Sequence, residues 1–208
     1  MRNRFLRSAA VALATVMSVA ALAACGGADD DATAPVAAPP AFNAADVAFA
    51  QQMIPHHSQA VKMATLAATR AEDPEVKKLA AQIVAGQGPE IETLQSLLEA
   101  WGQPLVSDMA GMDHSAMSPE EMKNMNMSAA MPGMVGKDDL EALAAAKGAE
   151  FDEMFLTMTI KHHRGALQMA QAERAAGAGK DPAALKLAEQ IETAQQAEIK
   201  KMQKLKNA

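Results

Sequence analysis

Two His-His pairs offer the most distinctive chemistry in this sequence. They are His56-His57 and His162-His163, and they account for four of the five histidines in the chain of 208 residues. Adjacent residues of an α-helix point about 100° apart, so one histidine of each pair can face inward while its neighbour lies on the flank. Neutral imidazole is a common metal ligand, and the paired imidazoles therefore predict a metal site.

Methionines accompany the histidines at helical spacing. His56 and His162 are the inward candidates, because they share a helix face with Phe49 and Phe155. Four methionines lie on or beside the same faces: Met53, Met63, Met158 and Met169. Imidazole with thioether suits copper, since nitrogen binds either oxidation state and sulfur prefers Cu(I). The alternative is that each histidine merely packs and bonds to a carbonyl, but two equivalent pairs favour the metal site.

A second group of methionines lies between the two pairs. Eight of the sixteen methionines fall within residues 109–134, among Gly, Ser, Pro, Asp and Asn, where no helical stripe would bury them all. The alternative role for methionine is adaptable core packing. The spacing resembles that of thioether arrays that bind Cu(I) or Ag(I) in oxidising compartments, where thioethers survive more readily than thiols. We therefore predict soft-metal binding by Met109, Met112 and Met117, with His114 as a further nitrogen ligand.

Four polar residues interrupt otherwise apolar helix stripes: Gln87, Glu90, Gln195 and Glu198. Buried polar side chains need hydrogen-bond partners. One hypothesis is that these residues accept the free N–H of a ligating imidazole and so fix its tautomer. The other is ordinary polarity on a helix surface, and the sequence leaves both open.

An internal repeat must position both His-His pairs. Residues 46–64 and 152–170 are identical at eight of nineteen positions, and an Asp-Pro turn follows each segment, at Asp73 and at Asp181. Each half predicts a helix, a turn and a second helix, since apolar residues recur every three or four positions. The predicted helices span 44–71, 74–101, 149–177 and 182–206. Strong helix formers dominate, so we predict an all-α four-helix bundle with a long connector.

The first 41 residues predict export and lipid attachment. Residues 1–24 have a basic start and an uncharged apolar run that ends in small residues, as in a signal peptide. Cys25 follows at a lipoprotein cleavage pattern and is the only cysteine, so it has no disulfide partner within the chain. Acylation explains it better than the alternative, a free thiol left by cleavage nearby. Residues 25–41 then predict a disordered tether. The expected location is the extracytoplasmic side of a membrane, in the periplasm or at the cell surface.

The remaining chain, 42–206, predicts one helical domain. Its repeat halves are 42–101 and 149–206, joined by the methionine-rich connector 102–148. The formal net charge is −6, and loss of the three leader arginines makes the mature protein more acidic. An acidic surface without a basic patch argues against nucleic acid as a partner.

The repeated motif resembles the domain-of-unknown-function family numbered 305. The resemblance covers 42–206. It rests on the doubled motif at 49–64 and 151–170, on the Gln-x2-Glu-Ile elements at Gln87 and Gln195, and on the Met-Pro-Gly-Met sequence at 131–134. It implies a ferritin-like four-helix bundle that is usually exported, with copper binding and copper tolerance in some members. One departure is Thr159, where a methionine is expected. The other is a connector richer in methionine than the family requires.

These observations favour a protein that captures or buffers copper, as Cu(I) or Cu(II) and with silver as a possible mimic, without turning over a substrate. The runner-up is a ferritin-like metal-dependent oxidase. Its Glu-x-x-His element is missing, since Met53 and Thr159 stand three residues before the inward histidines. A third hypothesis is a non-metal helical interaction module at the membrane surface. The sequence names no metal-transfer partner.

Overall fold

Four long helices and one short helix make up the described part of the chain. The computed structural model describes residues 41–105 and 131–207. The helices are α1 (Ala44–Arg70), α2 (Pro74–Ala100), α3 (Lys137–Ala145), α4 (Gly148–Arg174) and α5 (Pro182–Lys206). Within each repeat half the two long helices pack as a hairpin, and α1 packs against α4. The prediction of an all-α, ferritin-like four-helix bundle is confirmed.

Local sequence signals explain where the long helices begin. Asn43 caps α1 in a capping box with Asp46, in which each side chain accepts a hydrogen bond from the other residue's backbone N–H. Asp73 and Asp181 cap α2 and α5, and a proline follows each as the first helical residue. The starts of α1, α2 and α5 agree with the prediction for this reason, and α4, which has no side-chain cap, begins one residue before its predicted start.

The end of α4 comes earlier than predicted. The sequence predicts a helix to residue 177, but α4 ends at Arg174. Ala175 leaves the helical conformation with φ −59° and ψ 147°, and Gly177 adopts φ +81°. The left-handed region is favourable for glycine, so the chain turns here rather than extending the helix.

Each hairpin caps the second helix of the other hairpin. The Asp46 carboxylate on α1 accepts hydrogen bonds from the backbone N–H groups of Lys180 (3.0 Å) and Asp181 (2.9 Å), just before α5. Asp152 on α4 accepts from Glu72 (3.2 Å) and Asp73 (2.8 Å), just before α2. Because the two aspartates are equivalent in the repeat, the halves are joined by a reciprocal pair of contacts.

The core consists of two apolar clusters with a polar layer between them. The Phe49 cluster includes Phe49, Met53, Leu94, Leu98, Met169 and Ile191. The Phe155 cluster includes Met63, Leu79, Ile83, Leu143, Phe151 and Phe155. Along α1, the apolar core residues up to Ile54 belong to the first cluster and those from Ala60 belong to the second. The polar residues at the boundary, which we call the histidine layer, are His56, His57, Gln87, Glu90, His162, His163, Gln195 and Glu198.

Several predictions fall on residues outside the described ranges. They concern the signal peptide, the tether with Cys25, and the connector ligands Met109, Met112, His114 and Met117, and all of them stay predictions. Within the described ranges, none of the helices has a stretch long and apolar enough to cross a bilayer.

Candidate metal centre

The rings of the two inward histidines contact each other in the buried interior of the bundle. The ring centroids of His56 and His162 lie 3.7 Å apart, and the ring planes are tilted by 37°. Both residues are fully buried, at 0% and 1% exposure. Since α1 and α4 carry them at equivalent positions of the repeat, the packing of these two helices brings the two His-His pairs together. The separation is a van der Waals contact, so the rings must move apart before an ion binds between them.

The second histidine of each pair is also buried, which corrects the expectation that it lies on the flank. His57 and His163 both have 0% exposure. His57 Nε2 lies 2.7 Å from Glu90 Oε2, and His163 Nε2 lies 2.7 Å from Glu198 Oε2. Each bond joins the two helices of one hairpin. In each hairpin, a partly exposed glutamate on the second helix thus forms a hydrogen bond with a buried imidazole of the first helix.

Hydrogen bonding leaves at least one nitrogen open on every imidazole. His57 and His163 use Nε2 for glutamate, and His56 Nε2 lies 3.0 Å from the Pro132 carbonyl oxygen. The Nδ1 atoms of all four histidines, and Nε2 of His162, have no hydrogen-bond partner among the described residues. Buried polar atoms without partners are rare and often mark functional sites. Ring nitrogens with this freedom fit the donor set that a metal ion requires.

Burial keeps the inward imidazoles neutral. Removal from solvent lowers the pKa of His56 to about 3, and the Pro132 carbonyl only partly offsets this effect. Burial also lowers the pKa of His162 well below its ordinary value, and the neighbouring histidines lower it further. Metal ions bind the neutral form of imidazole. Both rings are therefore in the metal-binding protonation state at neutral pH.

The two glutamines of the layer do not lie on the surface, and they do not bond to imidazole. Gln87 and Gln195 are 3% and 2% exposed, and their amide groups have no hydrogen-bond partner within the described residues. The surface hypothesis therefore does not hold for them. Of the four polar residues singled out in the sequence, it is Glu90 and Glu198 that contact histidine.

The four methionines of the predicted site divide between the two faces of the layer. Met53 and Met169 belong to the Phe49 cluster, and both are buried. Met63 is buried in the Phe155 cluster, and the half-buried Met158 packs against that cluster. Thioether groups are therefore present in the apolar core on each side of the imidazoles.

Imidazole and carboxylate groups alone do not form a complete metal site in the histidine layer. Across residues 41–105 and 131–207, no three His, Cys, Asp or Glu side chains are arranged so that they could hold one ion. An ion bound in the histidine layer must therefore combine imidazole with other donors or shift the rings. Methionine sulfur is the donor that the two flanking clusters supply.

Sequence reasoning missed the backbone contact that holds His56. The Pro132 carbonyl accepts its hydrogen bond, and Gln59 bonds to Val135 close by. The only sequence signal is the run at 131–134, which belongs to the family motif. A carbonyl carries no side-chain signature, so composition and spacing alone cannot reveal this contact.

Comparison with known proteins agrees with this architecture. The sequence model of the family described as "Domain of unknown function (DUF305)" matches residues 46–206. The chain belongs to the DUF305 family. The resemblance noted in the sequence is thereby confirmed, and the match includes both His-His pairs and both Gln-x2-Glu-Ile elements.

Solved structures of DUF305 proteins have the same fold. A DUF305 fragment from Deinococcus radiodurans is similar with a TM-score of 0.64 and 29% identity, over 80% of this chain and 97% of that one. A Streptomyces coelicolor DUF305 protein, inferred to be secreted, has a TM-score of 0.61 and 26% identity, over 77% and 91% of the two chains. CopM in its Cu(II)-bound form has a TM-score of 0.60 and 32% identity, over 77% and 94%. CopM is also known in Cu(I)-bound and Ag-bound forms.

A shorter match links one stretch of this chain to a viral protein. An uncharacterised protein of Acanthamoeba polyphaga mimivirus is 39% identical over 54 residues. The match covers 26% of this chain and 36% of the viral protein. Only about a third of that protein is spanned, so the similarity is local.

Proposed function

We propose that this DUF305 protein captures copper outside the cytoplasm and holds it without catalysing a reaction. The observation that carries the proposal is the histidine layer, in which four buried imidazoles each leave Nδ1 without a partner. An apolar core normally avoids such groups, because each unpaired buried donor or acceptor costs about 1 to 3 kcal/mol. A ligand that uses these nitrogens would account for their placement.

Copper fits the chemistry of the layer better than a hard cation does. Imidazole with thioether favours copper, whereas magnesium and calcium prefer oxygen ligands. The layer supplies two carboxylates, and each is already bonded to a histidine. Support also comes from CopM, a DUF305 relative with Cu(I)-, Cu(II)- and Ag-bound structures. We therefore propose copper as the bound ion, with silver as its mimic.

The proposed location is the outer side of a membrane. Residues 1–24 have the pattern of a signal peptide, and the residues around Cys25 have the pattern of a lipoprotein cleavage site. A relative from Streptomyces coelicolor is inferred to be secreted, which supports export. Lipid on Cys25 would hold the bundle near the membrane, and mass spectrometry of the mature protein would detect it.

The methionine-rich connector is proposed as a second copper site. Met109, Met112, Met117 and His114 supply soft sulfur ligands and one imidazole within nine residues. Thioether binding needs no deprotonation, so copper bound by sulfur alone should persist at acidic pH. Copper bound through imidazole should be lost once the ring is protonated.

A competition titration of the mature domain with Cu(I) tests the proposed function. We expect binding tighter than micromolar, and loss of one class of site when His56 and His162 are both replaced by leucine. The control replaces Met109, Met112 and Met117 with leucine, which should remove only the connector class. If the wild-type domain competes no better than micromolar, or if both variants bind like wild type, the proposal is wrong.

The oxidase alternative requires a different outcome. Ferritin-like di-iron centres use glutamates from several helices together with Glu-x-x-His, and Met53 and Thr159 occupy the glutamate positions of that element. Bound iron with an oxygen-dependent absorption band would favour the oxidase. A melting temperature that no metal changes would favour the non-metal interaction module, because a ligand that binds only the folded state raises stability.

A further inference from the structure

The backbone of residues 131–135 is hydrogen-bonded to α1 beside the histidine layer. The Pro132 carbonyl oxygen lies 3.0 Å from His56 Nε2. Gln59, one turn further along α1, donates to the Val135 carbonyl (3.0 Å) and accepts from the Val135 N–H (2.8 Å). Three hydrogen bonds therefore hold this segment, which we call the clasp, against one face of α1.

The same segment lies directly against α4, where two glycines make the approach possible. A Cβ atom added at Gly165 would lie 1.8 Å from the Pro132 carbonyl oxygen and 2.8 Å from Gly133 Cα. A Cβ atom at Gly133 would lie 2.7 Å from the Lys161 carbonyl oxygen, and its φ of +81° itself favours glycine. No side chain fits in this contact, so the position of the Pro132 carbonyl depends on both glycines.

The clasp breaks the symmetry of the repeat. Gly165 on α4 is equivalent to Gln59 on α1, but the two residues contact the clasp differently. Gly165 has no side chain, which leaves space for the clasp backbone, whereas the Gln59 side chain forms hydrogen bonds to that backbone. As a result His56 Nε2 bonds to the Pro132 carbonyl, whereas neither ring nitrogen of His162 has a hydrogen bond of normal geometry among the described residues. The His56 backbone is near His162, but it raises the pKa of that ring less than burial lowers it. The two inward imidazoles therefore differ in their hydrogen bonding.

We propose that the clasp determines which nitrogen of His56 binds the metal, and that Gly165 and Gln59 are the positioning residues. A carbonyl oxygen only accepts, so the proton of the neutral His56 ring must be on Nε2. The lone pair is then on Nδ1, which becomes the ligating atom. His162 has no such constraint and can present either nitrogen. The inference rests on the proposed function, since it assigns the ligand atom of that same site.

The first test reads the tautomer of His56 in the metal-free protein. Long-range ¹H–¹⁵N correlation spectra separate the two neutral tautomers of histidine, and we expect His56 to be the Nε2–H form. Gly165→Ala should displace Pro132 and produce a mixture of tautomers. Gly88→Ala is the matched control, because its added Cβ meets open space on α2. A wild-type His56 with its proton on Nδ1, or an unchanged tautomer in Gly165→Ala, would overturn the proposal.

A second variant covers the case in which Gly165→Ala does not fold. Gln59→Ala removes two hydrogen bonds from the clasp without a steric clash. The control is Gln51→Ala, which removes a comparable bond to the Pro104 carbonyl (3.2 Å). We expect only Gln59→Ala to mix the His56 tautomers. We also expect it to weaken Ag(I) binding about tenfold, as loss of a residue that orients a metal ligand typically does. Equal behaviour of the two variants would contradict the positioning role.

Titration with Ag(I) separates failure of this inference from failure of the proposed function. The ¹⁵N shift of the nitrogen that binds Ag(I) changes most, and for His56 we expect this to be Nδ1. If Ag(I) and Cu(I) bind but the large shift is on Nε2, the copper function stands and the clasp assignment is wrong. If neither ion binds the histidine layer, the proposed function fails with the ligand assignment, although the tautomer spectra still report the clasp contact.

Discussion

His162 shows the conflict between stability and binding in the histidine layer. It is 1% exposed, and neither ring nitrogen has a partner among the described residues. Burying such atoms costs about 1 to 3 kcal/mol per unpaired group. We therefore expect His162→Leu to raise the free energy of unfolding of the metal-free protein by about 1 kcal/mol, measured by urea denaturation.

The neighbouring position provides the matched control. His57→Leu removes the hydrogen bond to Glu90, so it should lower the free energy of unfolding by about 1 kcal/mol. Opposite signs for the two His→Leu changes would show that losing the unpaired His162 ring relieves a cost, whereas losing His57 removes a stabilising hydrogen bond. A loss of stability in both variants would mean that His162 already has partners.

Glu173 predicts the pH dependence of the metal-free protein. It is 3% exposed. Burial and the nearby Asp46 carboxylate raise its pKa from 4.5 to about 8. The folded state then keeps a proton that the unfolded chain releases, so this residue makes stability fall as the pH rises through that interval. His56 and His162 act oppositely, because their lowered pKa values make stability fall as the pH drops below 6.5.

Between pH 6.5 and 8 the contribution of Glu173 outweighs that of these histidines, because the unfolded histidines lose most of their remaining protons by about pH 7.5. We expect the free energy of unfolding to decrease from pH 6.5 to 8, by at most about 1.4 kcal/mol for each pH unit. Glu173→Gln should abolish this decrease, whereas Glu99→Gln, an exposed change on α2, should follow the wild type. If urea denaturation gave the same pH dependence of the free energy of unfolding for wild type and Glu173→Gln, Glu173 would be ionised in the folded protein.

Among the helices, the reciprocal caps join the two hairpins. Asp152 on α4 accepts hydrogen bonds from two backbone N–H groups at the start of α2. Hydrogen bonds to a charged group contribute about 1.5 to 3 kcal/mol. Asp152→Asn should therefore lower the free energy of unfolding by about 1 to 2 kcal/mol, with two-state denaturation retained.

The control for this change is Asp138→Asn, an exposed acidic residue in the first turn of α3. It should change stability by less than about 0.5 kcal/mol, as surface substitutions usually do. Equal effects of the two variants would mean that the Asp152 contact adds nothing beyond general helix electrostatics.

The helices were largely predictable from sequence because their signals are local. Capping residues and first-turn prolines mark the starts of α2 and α5, and apolar spacing marks the buried faces. The clasp was not predictable in the same way. It depends on a close contact between the backbones of Gly165 and Gly133, which are 32 residues apart in the sequence. A single glycine in a helix does not indicate which other segment will pack against it.

At the scale of the whole molecule, duplication accounts for the position of the histidine layer. Antiparallel packing brings equivalent residues of the two halves to the same level, so both His-His pairs meet where the Phe49 and Phe155 clusters separate. The repeat therefore predicted that the inward histidines converge. It did not predict that His57 and His163 are equally buried, because the burial depends on glutamates from the second helices.

X-ray absorption on the Cu(I)-loaded mature domain tests most directly whether the histidine layer binds copper through imidazole. To remove the proposed connector ligands, Met109, Met112, His114 and Met117 are replaced by leucine, and one equivalent of Cu(I) is added. We predict imidazole nitrogen in the copper coordination sphere, with sulfur beside it, and loss of the imidazole scattering when His56 and His162 are also replaced by leucine. A spectrum with sulfur ligands only, unchanged by those histidine substitutions, would contradict the account.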